Sequence, residues 1–93
     1  MAQLPRNKRL QGRARARFTE EYGILLEMLV ELRLSAHITQ QQMAQHVEKS
    51  QSHVSMWENR ESEMSVVDIM KWCDAVGIST SKFFESYERR KRG

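Results

Sequence analysis

The stretch from Thr39 to Asn59, TQQQMAQHVEKSQSHVSMWEN, decides the fold of this chain. It contains the starts of two short helices. Thr39, with Gln42 after it, fits a capping box, in which each side chain bonds to the other residue's backbone N–H. Ser50 is a candidate N-cap for the second helix, which we expect to end near Asn59. Only residues 48–50 separate the two helices, so they must meet at a tight turn.

Two short helices joined this closely are typical of a helix-turn-helix, whose second helix enters the major groove of DNA. The second helix is expected to expose a face without acids, made of Gln51, Ser52, His53, Ser55 and Met56. Glutamine can read adenine through two hydrogen bonds, serine can donate or accept one, and methionine can contact a thymine methyl group. The composition of this face fits a DNA-reading surface and an ordinary solvated helix face equally well.

Three further helices are predicted from similar local signals. One precedes the pair, over about residues 20–34; the next begins after Ser65 and ends at Gly77; the last begins after Ser79 and ends near Tyr87. Serine is a preferred N-cap and glycine a preferred residue just past a helix end. The sequence therefore predicts an all-α fold of five helices.

The first predicted helix carries two apolar stripes. Its core stripe is Leu25, Met28, Leu29 and Leu32. A second stripe recurs at every fourth residue, through Leu26, Val30 and Leu34, and exceeds what one small core needs. Two interpretations of the second stripe stay open: it binds a second copy of the chain, or it packs under the fifth helix.

Several residues that could carry chemistry are better explained by packing. Trp57 and Trp72 lie on inward stripes, so we expect both in the core. Cys73 fits a small core position, and as the single cysteine it excludes an internal disulfide. The histidines are not spaced as metal ligands: His37, His46 and His53. We therefore expect no metal, no cofactor and no catalytic activity.

Charge is segregated along the chain. Residues 1–17 carry six basic residues and no acid, 88–93 carry four bases and one acid, and 18–87 carry five bases and eleven acids. We divide the chain at these limits into a basic arm, a helix-turn-helix domain and a basic tail. We expect the arm to be disordered in the free protein and three of its arginines to contact DNA phosphates: Arg13, Arg15 and Arg17. Solvated, solubilising ends are the alternative.

Composition limits the class of protein. The net charge of +3 suggests an anionic partner only weakly. No stretch approaches the ~20 apolar residues of a membrane span, and the first residues do not look like a signal peptide. We therefore expect a cytoplasmic, nucleoid-associated protein.

Residues from Leu32 to Phe84 resemble the phage-repressor helix-turn-helix family, often called the Cro/repressor or XRE family. The matching motifs, in order, are Arg33, His37-Ile38-Thr39-Gln40, Gln42-Met43-Ala44, the run from Ser50 to Asn59, Ala75-Val76-Gly77-Ile78-Ser79 and Phe83-Phe84. The resemblance implies a five-helix fold, sequence-specific binding of double-stranded DNA and no catalysis. It also implies that the chain is a transcriptional regulator, with repression as the expected mode.

The resemblance also assigns roles to residues. Base edges would be reached by Gln51, Ser52 and Met56. Gln40 would touch a phosphate. Positions near the DNA backbone or bases would be held by Ser50, His53, Ser55 and Asn59. Arg33 and Glu58 match an ion pair that ties the first helix to the end of the third.

This sequence departs from the family at its turns. His37, Glu48 and Arg60 stand where the family usually has glycine, and Lys49 stands where an apolar residue is usual. A residue with a Cβ in the left-handed conformation costs on the order of 1 kcal/mol. The turns should therefore be either strained or shaped differently.

A protein-interaction module on the same fold, such as an antitoxin-like or adaptor protein, is the alternative function. The acidic balance of residues 18–87 favours it, whereas the basic ends and the Gln51-Ser52 pair favour DNA. The predicted partners are thus double-stranded DNA, a second copy of the chain and, under the alternative, another protein.

Overall fold

The computed structural model describes residues 19–93, and within that range it contains five helices and no strand. In chain order they are α1 (Glu20–Ser35), α2 (Gln40–Val47), α3 (Gln51–Glu58), α4 (Val66–Val76) and α5 (Thr80–Arg92). The predicted all-α fold is confirmed. The arm predicted over residues 1–17, with Arg13, Arg15 and Arg17, lies outside the described residues.

The helix starts follow from local capping chemistry. Thr39 with Gln42, and Ser65 with Asp68, form complete capping boxes. The remaining helices have a hydroxyl N-cap that accepts a bond from a backbone N–H of the first turn: Thr19, Ser50 and Ser79. Each such cap is typically worth about 1 kcal/mol. These predicted starts are confirmed, because an N-cap acts within a single turn of chain.

The core is centred on two tryptophans. Trp57 of α3 and Trp72 of α4 are fully buried, with ring centroids 6.4 Å apart. Trp72 Nε1 donates to the carbonyl oxygen of Leu29 at 2.8 Å, which satisfies the indole inside the core. Cys73 is also buried, and burial raises the pKa of its thiol. As predicted, these three side chains serve packing.

The second stripe of α1 does not form one surface. Leu26 is 4% exposed and belongs to the core, Val30 is partly buried, and Leu34 is 58% exposed. The interpretation of the three as a shared self-association face is therefore wrong. The physical reason is that α1 packs against both α4 and α5, so core contacts extend around much of its circumference.

Helix α5 continues to Arg92, so its predicted end near Tyr87 is wrong. Arg90 in the added turn reaches α1, where its Nη2 lies 3.0 Å from Glu31 Oε1 and its Nη1 lies 3.6 Å from Glu27 Oε1. Basic residues also interact favourably with the negative end of a helix dipole. The residues predicted as a basic tail therefore extend a helix that is bonded to the acidic face of α1.

All three non-glycine turns adopt the left-handed conformation. The φ angles are 58° at His37, 61° at Glu48 and 62° at Arg60, in the left-handed region that glycine adopts readily. Of the two alternatives for these turns, the strained one applies. The turns keep their shape, and side chains with a Cβ occupy them.

Two of these residues gain contacts that offset the strain. Glu48 Oε1 accepts a hydrogen bond from Lys71 Nζ at 2.8 Å. Arg60 Nη2 donates to the carbonyl oxygen of Thr19 at 3.1 Å. Arg60 also crosses α1 at Gly23, where an added Cβ would lie 3.0 Å from Nη1, so glycine leaves room for the guanidinium.

Of the three turn positions, His37 is where glycine should stabilise the fold most. Within residues 19–93 no hydrogen bond of the His37 side chain is seen, so glycine would remove no such contact. We expect His37→Gly to raise the free energy of unfolding by about 0.5–1 kcal/mol, since relief of left-handed strain exceeds the entropy that glycine adds to the unfolded chain. Urea unfolding measures this. His37→Ala is the control and should bring no such gain, because alanine keeps the Cβ. Equal stability of the glycine and alanine variants would contradict the strain argument.

Candidate nucleic-acid interface

Helix α3 divides its residues between the core and solvent. Val54 and Trp57 are fully buried and anchor the helix. The predicted base-contacting residues all lie on the exposed side: Gln51, Ser52 and Met56. Ser55 and Asn59 follow at helical spacing on this same side. The arrangement presents one continuous face that is polar apart from Met56 and contains no acid.

The predicted near-backbone residues surround that face. Ser50 caps the N-terminus of α3, and its hydroxyl accepts from His53 N at 3.1 Å. The His53 ring packs edge-on against Trp57, with centroids 4.9 Å apart. At the other end, Asn59 Nδ2 approaches Ser55 Oγ at 3.5 Å. The imidazole therefore packs against the core, whereas the hydroxyls of Ser50 and Ser55 bond to groups within α3 and its caps.

Arg33 and Glu58 form a bidentate ion pair between α1 and the end of α3. Arg33 Nε lies 2.7 Å from Glu58 Oε2, and Arg33 Nη2 lies 3.0 Å from Glu58 Oε1. The side chains are only 9% and 10% exposed. Arg33 Nη1 also donates to the carbonyl oxygen of Ile38 at 2.7 Å. One guanidinium thus holds α1, the α1–α2 turn and the end of α3 together.

Two glutamines extend this cluster to the exposed face. Gln40 Nε2, at the first residue of α2, donates to Glu58 Oε1 at 2.9 Å. Gln51 Nε2, at the first residue of α3, donates to Gln40 Oε1 at 2.9 Å. The residue expected to touch a phosphate and the one expected to touch a base are therefore hydrogen-bonded to each other.

The electrostatics of the face suit an anion. The first turns of α2 and α3 contain no acid, whereas those of α1 and α4 do, so the positive helix ends of the pair are unopposed. Glu48 is the single acid between Thr39 and Trp57. Lys71 hydrogen-bonds to Glu48, which lowers the pKa of the Glu48 carboxyl and raises the pKa of the lysine.

Two other kinds of site are not seen in the described chain. Among residues 19–93, no group of three or more histidine, cysteine or acidic side chains could hold a metal ion. None of the helices in that range is long and apolar enough to cross a membrane.

The bond from Gln40 to Glu58 could not be read from the sequence. The two residues are 18 positions apart, and their contact depends on how α2 packs against α3. The available signal was indirect: the motif resemblance singled out both residues, each for a different role.

Comparison with known families supports the motif. The family model described as helix-turn-helix matches residues 29–83. That range is more than half of the chain and contains α2, α3 and α4 entirely. No curated protein matches the chain.

Because Glu58 pairs with the buried Arg33, loss of Glu58 should destabilise the fold more than loss of an exposed acidic residue. We expect Glu58→Ala to lower the free energy of unfolding by about 3–5 kcal/mol, because Arg33 would remain buried without its partner. Glu27→Ala is the matched control: the Glu27 side chain is 67% exposed, and an exposed pair contributes about 0–1 kcal/mol. Chemical denaturation of both variants measures the difference. Similar stabilities would contradict the claim that the pair holds α3.

Proposed function

The chain belongs to the helix-turn-helix family of the Cro and XRE type, and we propose that it is a repressor that reads operator DNA with α3. It is a DNA-binding regulator of that type. Repression needs only occupancy of a site that overlaps a promoter, which DNA binding alone supplies. Because the proposed ligand is duplex DNA, we place its action at the nucleoid in the cytoplasm.

The acid-free outer face of α3 is the observation that carries this proposal. Gln51 and Ser52 lie in its first turn, and Met56 is 41% exposed one turn further on. An amide matches the donor and acceptor of adenine in the major groove, and a thioether matches the methyl group of thymine. This set of side chains can therefore discriminate base pairs without any formal charge.

Contacts to phosphates would come from elements around α3. Gln40 has one N–H beyond the bond to Glu58, which is available to a phosphate oxygen. The N-terminal backbone of α2 and α3 adds further donors. Arg13, Arg15 and Arg17 of the arm would add charge, and each neutralised phosphate steepens the salt dependence of binding.

Self-association is proposed through α4 rather than α1. Val66, Val67 and Met70 are 69%, 56% and 49% exposed, which is unusual for apolar side chains on a single helix. Lys71 and Asp74 flank them. Across a two-fold axis, these apolar side chains of one copy could pack against the same side chains of the other, as in an isologous interface. A dimer would read half-sites about 34–36 Å apart.

We expect sedimentation to show a dimer on DNA and Val67→Glu to leave only a monomer, because the substitution places a charge in the apolar contact. Leu34→Glu on α1 is the control and should not affect dimer formation. A monomer at every concentration, with or without DNA, would contradict the dimer. Tight binding of a different protein to this surface would instead support the interaction-module alternative, which the same exposed apolar residues favour.

The base-reading role of Gln51 is tested by Gln51→Ala. We expect a loss of about 1–3 kcal/mol in binding free energy on the preferred sequence and relaxed preference at one base pair. Selection of bound sequences from a random duplex library, followed by titration of the selected duplex, measures both. A uniform loss on every sequence would show that Gln51 does not read a base.

A further inference from the structure

The sulfur-containing side chains of the described chain fall into a buried group and an exposed group. Within residues 19–93, the buried group is at most 7% exposed and consists of Met28, Met43, Met64 and Cys73. The exposed group is Met56, at 41%, and Met70, at 49%. Met56 belongs to the proposed base-reading face of α3, and Met70 to the proposed self-association surface of α4. Within this range, accessible sulfur is therefore found only on those two surfaces.

The other readily oxidised side chains of the domain are protected by packing. Cys73 is 1% exposed, and burial raises the pKa of its thiol, so the reactive thiolate is scarce. The indole rings of Trp57 and Trp72 are fully buried. An oxidant in solution therefore reaches the thioethers of Met56 and Met70 more readily than it reaches the core.

We propose that Met56 is an oxidation site, at which a hypohalous acid converts the thioether to a sulfoxide and thereby weakens recognition of the operator. The proposal rests on the proposed function of Met56 as a base-reading residue. A thioether is apolar and fits against the methyl group of thymine. A sulfoxide is polar and carries an oxygen that accepts hydrogen bonds. Against a methyl group that oxygen would be buried without a partner, which opposes binding.

The reaction is a two-electron oxidation of sulfur. The lone pair of the Met56 sulfur takes chlorine from hypochlorous acid, and hydroxide leaves. Water then attacks the sulfur as chloride departs, and the loss of two protons leaves the sulfoxide oxygen; one of these protons neutralises the hydroxide. Sulfur gives up two electrons, which leave with chloride. Methionine sulfoxide reductases return the sulfoxide to the thioether, so the change is reversible.

The effect of oxidation should be confined to recognition. Val54 and Trp57, which anchor α3 in the core, are fully buried, whereas the side chain of Met56 is on the exposed side of the same helix. Adding one oxygen to Met56 therefore changes the outer face of α3 without removing a core contact. This separation distinguishes a switch from oxidative damage, which would disrupt the buried methionines.

Treatment of the full chain with near-stoichiometric hypochlorous acid tests the proposal. Peptide mapping by mass spectrometry locates the added oxygen, and titration of duplexes that differ at one base pair measures discrimination before and after treatment. We expect Met56 to gain one oxygen and the preference for thymine to fall by about tenfold, as for one unpaired buried polar group. The two methionine sulfoxide reductases, one for each epimer, should restore the preference.

Three variants separate the two exposed thioethers, each compared with its own untreated sample. Met56→Leu has no sulfur on α3, so treatment should leave its base preferences unchanged. Met70→Leu keeps Met56, so treatment should still reduce its preference for thymine about tenfold. Oxidation of Met70 alone would lower affinity equally for all duplexes. Met56→Gln places a hydrogen-bonding group at the same point and should weaken the thymine preference without any oxidant.

The outcomes are distinguishable. If Met56→Gln leaves every base preference unchanged, the proposed base-reading role of Met56 fails, and the oxidation site fails with it. If Met56→Gln relaxes one base pair, but treatment adds no oxygen at Met56 or adds it without changing the preference, the oxidation site alone is overturned. Thermal unfolding of the treated chain should match that of the untreated chain. A large fall in Tm would show that the core was oxidised and would contradict the proposal.

Discussion

The contact between Arg33 and Glu58 is the constraint on which the rest of the structure depends. Helix α3 is only eight residues long, and a helix of that length is marginal by itself in water. Its inward side is fixed by Val54 and Trp57, but these apolar contacts alone permit it to slide or tilt. The ion pair fixes the orientation of α3, because the planar guanidinium donates to both carboxylate oxygens in one bidentate geometry. A buried ion pair often adds little net stability, so its larger effect here is to specify where α3 lies.

The strained turns follow from the same need to place short helices accurately. A tight reversal after a helix requires the left-handed conformation, which glycine adopts without cost. The left-handed conformation destabilises this chain by about 1 kcal/mol at each of His37, Glu48 and Arg60. Glu48 and Arg60 recover part of that cost through Lys71 and the carbonyl oxygen of Thr19. The free energy of unfolding of a domain is roughly 5–15 kcal/mol in total. Strained turns are therefore tolerable only where the surrounding contacts determine their shape.

The features that could be predicted from the sequence are those set by residues close together in the chain. Features set by contacts between distant residues could not be predicted. Helix starts were predicted correctly because a cap such as Thr39 with Gln42 acts within four residues. The end of α5 was missed because it depends on Arg90 meeting Glu31, 59 positions away in the chain. Burial of Leu26 was missed for a similar reason, since periodicity reveals an apolar stripe but not what covers it. At the candidate site, the exposed side of α3 followed from periodicity, whereas the bond between Gln40 and Glu58 required the packing of two helices.

The charged residues that would strengthen binding to any DNA and the neutral residues that would discriminate between sequences lie in different parts of the chain. The outer face of α3 has neutral reading groups, so hydrogen-bond geometry and apolar contact would govern its choice of bases. Formal positive charge is concentrated instead in residues 1–17 and at the end of α5, where Arg90 is already bonded to α1. Non-specific attraction to phosphates depends on salt, and geometric matching of base edges depends on it far less. On the proposed function, the acidic surface of the domain would then weaken binding to every sequence equally. Repulsion that is equal for every sequence leaves the ratio of specific to non-specific affinity unchanged, so selectivity would depend on how well the amide of Gln51 and its neighbours match the base edges.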